Sequence, residues 1–236
     1  MSRGVSCACG LFAALLAMVD GAQGEPPVLI SSPVIDLFEH GAVHREAIRH
    51  VAFAPHPEDP QTAWLRLIEE IRHAPELEKL RRVNLFFNHR TRFEDDRTVW
   101  HQEDYWATLQ ETLRRGAGDC EDFSIAKYAS LRVLGIDDAK LRLIYVRAGS
   151  GDSSTTQALA HMVVGYYASP DAEPQLLDNL LNDIRSASRR PDLTPIFSFN
   201  SAGLWVQGAA QSKAEPTARL SRWRSVLQRM RAEGMP

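Results

Sequence analysis

GAGDCEDFSIAKYASLRVLG, residues 116–135, carries the pattern on which the rest of the chain turns. Phe123, Ala126, Ser130, Val133 and Leu134 recur at helical spacing. Asp119 precedes them as an N-cap with Asp122 three residues on, and Gly135 follows as a stop. The stretch predicts a helix whose first turn holds Cys120 between Asp119 and Glu121-Asp122. Carboxylates so close disfavour a thiolate, because a like charge raises the pKa of an acidic group. Cys120 is either an inert packing residue or a nucleophile whose surroundings override those charges.

Upstream, six prolines among residues 25–60 predict an extended or loop-rich start. From Thr62, residues Trp64, Leu65, Leu67, Ile68 and Ile71 follow a 3.6-residue period. Pro75 interrupts the period, and Leu77, Leu80, Val83, Asn84, Phe86 and Phe87 resume it. A charged loop and a short helix ending at Gly116 or Gly118 come next. Downstream, LRLIYVRA (141–148), HMVVGYYA (161–168) and QLLDNL (175–180) read as strands, with a polar loop between the first two. PIFSF and GLWVQG follow as further strands. Residues 209–236 form a linker and a basic amphipathic helix with Leu220, Trp223, Leu227 and Met230 on one face. Docking on its own domain is the leading role for that helix, ahead of a membrane surface or a partner. Helices first and an antiparallel sheet after make an α+β chain.

The chain has 236 residues and a net charge of −3, which gives no global reason to expect nucleic acid as a partner. Residues 1–24 have an early arginine, an apolar run from Leu11 to Val19 and small residues at Ala22 and Gly24, the pattern of a cleaved secretory signal. If that segment leaves, Cys7 and Cys9 leave with it and Cys120 is the only cysteine remaining. An exported protein with one cysteine makes no internal disulfide, so the thiol calls for a reason.

A helix N-terminus favours a thiolate, and a histidine partner stabilises it and shuttles protons. Of eight histidines only His161 opens a strand, and Asp178 lies in the next strand-like run. Paired strands would let imidazole and carboxylate meet, in the chain order cysteine, histidine, aspartate. Singly, His161 is a polar strand end and Asp178 a turn residue; with a lone thiol at a helix start, the three make a triad. Asp119, Glu121 and Asp122 cannot all face the sulfur, since successive helical residues are about 100° apart. Hard oxygens grouped this way suit Ca²⁺. The plainer account is a cap at Asp119, a solvated Glu121 and a first-turn support at Asp122.

GDCEDFSIAKYASLRVLGI, with LRLIYV, HMVVGYY, LLDNL, SFNSAGLW and VNLFFNHRTRFEDD…WHQEDYW, resembles the bacterial transglutaminase-like cysteine proteinases of the LapG type. The resemblance runs from about Ala63 to Trp205. It departs from the family at WATLQ, where a proline is expected, and in the polar 149–160 loop. It implies a papain/transglutaminase-like fold over residues 25–208 and a periplasmic endopeptidase that needs calcium. Such enzymes clip the N-terminal retention region of a large repeat-containing adhesin, which promotes biofilm dispersal. An inner-membrane cyclic di-GMP receptor sequesters them. Carried over, Cys120 is the nucleophile, His161 the base and acid, and Asp178 the orienting group. Asp119 and Glu121 match the calcium-binding carboxylates, and Asp122 joins them. Trp100, Tyr105 or Trp106 would wall a narrow groove, although each also suits a core. Two other functions use the same residues: acyl transfer to an amine, and a non-catalytic, calcium-stabilised periplasmic binding protein.

Overall fold

The computed structural model describes residues 58–149, 159–206 and 216–235. The expected signal segment, the expected loop-rich start and most of the expected linker lie outside these residues. Helix α1 (Pro60–Ile71) starts two residues before the apolar period does. Asp59 caps it by accepting from the Thr62 N–H at 2.9 Å, and Pro60 takes the first helical position, where no N–H is needed. Helix α2 (Glu76–Arg90) follows Pro75 and buries Leu80, Val83, Asn84, Phe87 and Asn88. The expected charged loop contains a two-residue strand, β1 (Arg92–Phe93), and one helical turn, α3 (Asp96–Val99). Helix α4 (Leu109–Arg115) begins with a reciprocal Thr108–Glu111 capping box and ends at Gly116, whose φ of 61° favours glycine. Strand β2 (Ala117–Gly118) then pairs in parallel with β1, so the charged loop is tied to the segment entering the next helix.

That helix, α5 (Cys120–Val133), is capped by Asp119. At its far end the Gly135 N–H reaches Arg132 O and the Ile136 N–H reaches Leu131 O, the paired bonds of a Schellman stop. Every residue from Cys120 through Leu131 is buried. A helix buried all round needs cover on every side, and α2, α4, β3 (Leu141–Ala148) and β4 (Leu159–Tyr166) supply it.

The sheet is antiparallel throughout. Its other strands are β5 (Gln175–Leu177), β6 (Arg185–Ser186), β7 (Leu193–Phe199) and β8 (Leu204–Val206), and the spatial order is β6-β5-β4-β3-β7-β8. Strand β4 starts two residues earlier than its sequence pattern, so His161 is its third residue and not its first. Strand β5 stops at Leu177, which puts Asp178 just beyond the strand. The main core joins α1, α2, α4 and α5 to one face of the sheet. After the short helix α6 (Pro216–Arg219), α7 (Ser221–Ala232) buries Trp223, Val226, Leu227 and Met230 in that same core. Trp223 stands edge-on to Tyr128 at 5.6 Å and to Phe199 at 5.4 Å. No helix among the described residues is long and apolar enough to cross a membrane.

Candidate active site

Cys120 opens α5, where helical N–H groups without partners along the helix favour negative charge. One turn later on the same face, the Ser124 hydroxyl donates to Met162 O at 2.9 Å. This bond anchors the start of α5 to β4 at the residue beside His161. His161 Nε2 is 2.8 Å from Asp178 Oδ1, and both side chains are buried. The thiol helix and the imidazole–carboxylate pair thus meet at one helix–sheet junction. Cys120 itself is buried, and its sulfur is 2.8 Å from Glu121 Oε2.

Three further groups hold Asp178. The Leu180 N–H reaches Oδ1 at 3.0 Å, Arg190 Nη1 reaches Oδ2 at 2.8 Å, and Asn88 Nδ2 fixes the backbone carbonyl at 2.9 Å. Burial opposes ionisation of the carboxyl, but His161, the Leu180 N–H and Arg190 together hold it well below the usual carboxylate range. Arg190 is itself gripped by the Asp192 carboxylate through Nε and Nη2. Neither Arg190 nor Asn88 was singled out from the sequence. An arginine in SRRPD and an asparagine in an amphipathic helix carry no signal until the chain folds back on itself.

The acids divide into two groups. Ligand atoms of Asp119, Cys120 and Glu121 lie within 4.8 Å of one another, and so do those of Asp96, Asp119 and Asp122. Asp119 does cap the helix, accepting from the Glu121 N–H at 3.2 Å. Glu121 is buried, which corrects the plainer account of it as solvated. Asp122 accepts from the Ala107 N–H at 2.7 Å and from Trp100 Nε1 at 3.2 Å. It folds so tightly over Gly118 that a Cβ there would sit 2.6 Å from the Asp122 Cβ. Asp96, absent from the sequence-derived set, arrives because β1 pairs with β2 and carries the loop after it to the start of α5.

Burial first, then mutual repulsion, raises these acids. Asp96 is pushed up to about 7 by burial and by Glu121, Asp104 and Asp95, against the Tyr105 N–H bond. Asp104 is pushed up to about 6 by burial and Glu121, against Arg222. Asp122 is raised well above the usual range by burial, Asp96 and Glu121. Asp96 Oδ1 is buried without a hydrogen-bond partner. An all-oxygen donor set with an orphaned carboxylate oxygen fits a hard divalent cation.

Lys127 lies seven residues beyond Cys120 on α5, close to the same angular position. It is 1% exposed, and its Nζ has no hydrogen-bond partner among the described residues. Burial pulls it down to about 7, against the attraction of Asp178. Of the expected groove aromatics, Trp106 is a core residue stacked on Phe199 at 5.8 Å, while Trp100 and Tyr105 pack on each other at 4.7 Å. A separate cleft, where Arg142 lies between Tyr167 and Trp205, contains none of the candidate residues.

Residues 46–194 match the family described as bacterial transglutaminase-like cysteine proteinases. Among solved structures, LapG of Legionella pneumophila is similar at 37% identity, over 74% of this chain and 91% of that one, with a TM-score of 0.61. An EGTA-treated structure of that LapG aligns at 36% identity and a TM-score of 0.63, over 74% of this chain and 91% of that one. Its calcium-bound structure aligns at 36% and 0.62, over 74% of this chain and 93% of that one. No curated protein matches the chain.

Proposed function

Because the chain belongs to the bacterial transglutaminase-like cysteine proteinases, we propose that it is a calcium-dependent periplasmic endopeptidase using Cys120, His161 and Asp178. The observation that carries this reading is the buried hydrogen bond from His161 Nε2 to Asp178. An ionised Asp178 keeps the proton on Nε2, so Nδ1 is the basic nitrogen available to a thiol. Nδ1 takes the Cys120 proton, and the thiolate attacks the substrate carbonyl. Backbone N–H groups at the start of α5 receive the developing oxyanion. The protonated Nδ1 then gives its proton to the leaving amine, and His161 activates the water that releases the acyl-enzyme.

The acids around the thiol find their place in this reading. Asp119 would hold calcium together with Glu121 on one side and Asp96 and Asp122 on the other. Bound there, calcium would supply the positive charge that offsets these carboxylates and removes Glu121's opposition to a thiolate. Its support is the donor set, the orphaned Asp96 oxygen and the existence of a calcium-bound LapG structure. The resemblance to LapG-type enzymes further supports the N-terminal retention region of a large repeat-containing adhesin as substrate. With it come release of that adhesin in biofilm dispersal and an inner-membrane cyclic di-GMP receptor as sequestering partner. Export by residues 1–24 would place the enzyme in the same compartment as both.

The test is cleavage of a purified N-terminal adhesin fragment by wild type and by Cys120→Ser, each in calcium and in EGTA. Cutting only by wild type in calcium is expected. Cutting by Cys120→Ser would remove the thiol from the reaction. Cutting by wild type in EGTA would remove the metal. A labelled amine joined to glutamine-containing protein, with no peptide bond cut, would replace hydrolysis by acyl transfer.

A further inference from the structure

The helical segment after the linker carries Arg222 and Arg229, seven residues apart and so nearly aligned along one face of α7. Docking of α7 is accounted for by a different face, where Trp223, Val226, Leu227 and Met230 are buried. The two arginines instead grip the strip 104–107. Arg222 Nη2 is 2.9 Å from Asp104 Oδ2, and its Nε donates to Asp104 O at 3.3 Å. Arg229 donates to the Tyr105 hydroxyl at 2.7 Å, to Glu111 and to Trp106 O, and its guanidinium lies 4.8 Å from the Tyr105 ring centroid.

The gripped strip delivers two backbone N–H groups into the acidic cluster. Tyr105 N–H bonds Asp96 Oδ2 at 2.5 Å, and Ala107 N–H bonds Asp122 Oδ1 at 2.7 Å. Each bond fixes one oxygen of a carboxylate and so sets where the other one points. For Asp96 that other oxygen is the buried one without a partner. From this we infer that α7 is a working part of the cation site: Arg229, helped by Arg222, is a positioning residue that holds Tyr105 to Ala107 so that Asp96 and Asp122 present their oxygens to a divalent cation. This inference rests on the calcium reading above. It gives the basic C-terminal helix a role inside its own domain.

The experiment follows thermal unfolding of the full chain against free calcium for wild type, Arg229→Met, Arg229→Lys and Arg224→Met. Terbium luminescence sensitised by Trp100 and Tyr105 serves as an independent binding signal. Loss of an outer-shell partner of this kind typically weakens metal binding by about 10–100-fold, and Arg229→Met is expected in that range. Arg229→Lys keeps the charge but not the planar fork, so it falls between Arg229→Met and wild type. Arg224, exposed on α7 with its guanidinium on Thr217 O, is the control and leaves the calcium demand unchanged. Unfolding in EGTA verifies that each variant is folded before calcium is added. If Arg229→Met fails that check, Arg229→Lys decides alone. Folded Arg229 variants with wild-type calcium demand would overturn the inference while leaving the calcium reading intact. A wild type with no calcium response would overturn that reading, and this inference with it.

Discussion

Two buried carboxylate sites of this chain are treated in opposite ways. Asp178 is 1% exposed and Asp122 0%, so both are equally dry. Asp178 has an imidazole, a guanidinium and a backbone N–H on its two oxygens, and it stays ionised. Asp96 and Asp122 have N–H donors but stand among other acids, and their carboxyls are pushed up. Burial alone therefore decides nothing about charge; the partner does. The Asp178 corner is electrostatically complete within the chain. On the calcium reading proposed above, a cation would complete the acidic corner.

Three changes bear on this contrast. The largest effect is expected from Asp178→Asn, which keeps the shape but no longer dictates the imidazole tautomer, and kcat/KM falls by about 10⁴-fold. A variant within tenfold of wild type in a peptide-cleavage assay would mean that the complete corner is structural only. Next, Asp96→Asn removes one of the mutually repelling charges. In EGTA at neutral pH its melting temperature rises above that of wild type, while its calcium affinity drops by about 10–100-fold. A calcium titration that superimposes on wild type would exclude Asp96 from the donor set. The smallest effect comes from Lys127, a buried cation with no hydrogen-bond partner among the described residues. Its pKa is about 7 in the folded state against 10.5 as the ordinary value, so between those limits the unfolded chain binds more protons and stability rises with pH. Lys127→Met is expected to stabilise by about 1–2 kcal/mol below pH 7, with the gain fading toward pH 10. A gain that does not change with pH in urea unfolding would show that Lys127 protonates in the folded protein as it does in the unfolded chain, so that burial does not lower its pKa.

Local signals in the sequence carried the helix that holds the thiol. An aspartate cap and a glycine stop act within a few residues, and α5 begins and ends where they indicate. The 141–148 strand was legible for the same reason, being a run of aliphatic and β-branched residues with clear edges. His161 and Asp178 were legible as a pair because their strands are neighbours in the chain and in the sheet. The start of β4 was not, since Leu159 and Ala160 close a polar stretch and become strand only by pairing with Ala148 and Arg147. Asp96, Arg190 and Asn88 were illegible for a stronger reason. Each reaches the site through a fold-back whose register no short stretch of sequence contains: β1 on β2, the turn after β6, and α2 over the 178–182 segment.

The total enclosure of α5 also determines how the thiol can be reached in time. Amide protons on an element buried all round exchange only when the whole domain opens, whereas loops and edge segments exchange through small local openings. Hydrogen exchange should therefore find the Cys120 helix among the last segments to exchange, even in EGTA. Its thiol cannot be exposed or hidden by fraying the helix that bears it. Control must act on what surrounds that helix, and the exposed 101–103 turn, just before the strip held by the C-terminal helix, is the part of those surroundings that opens on a faster clock.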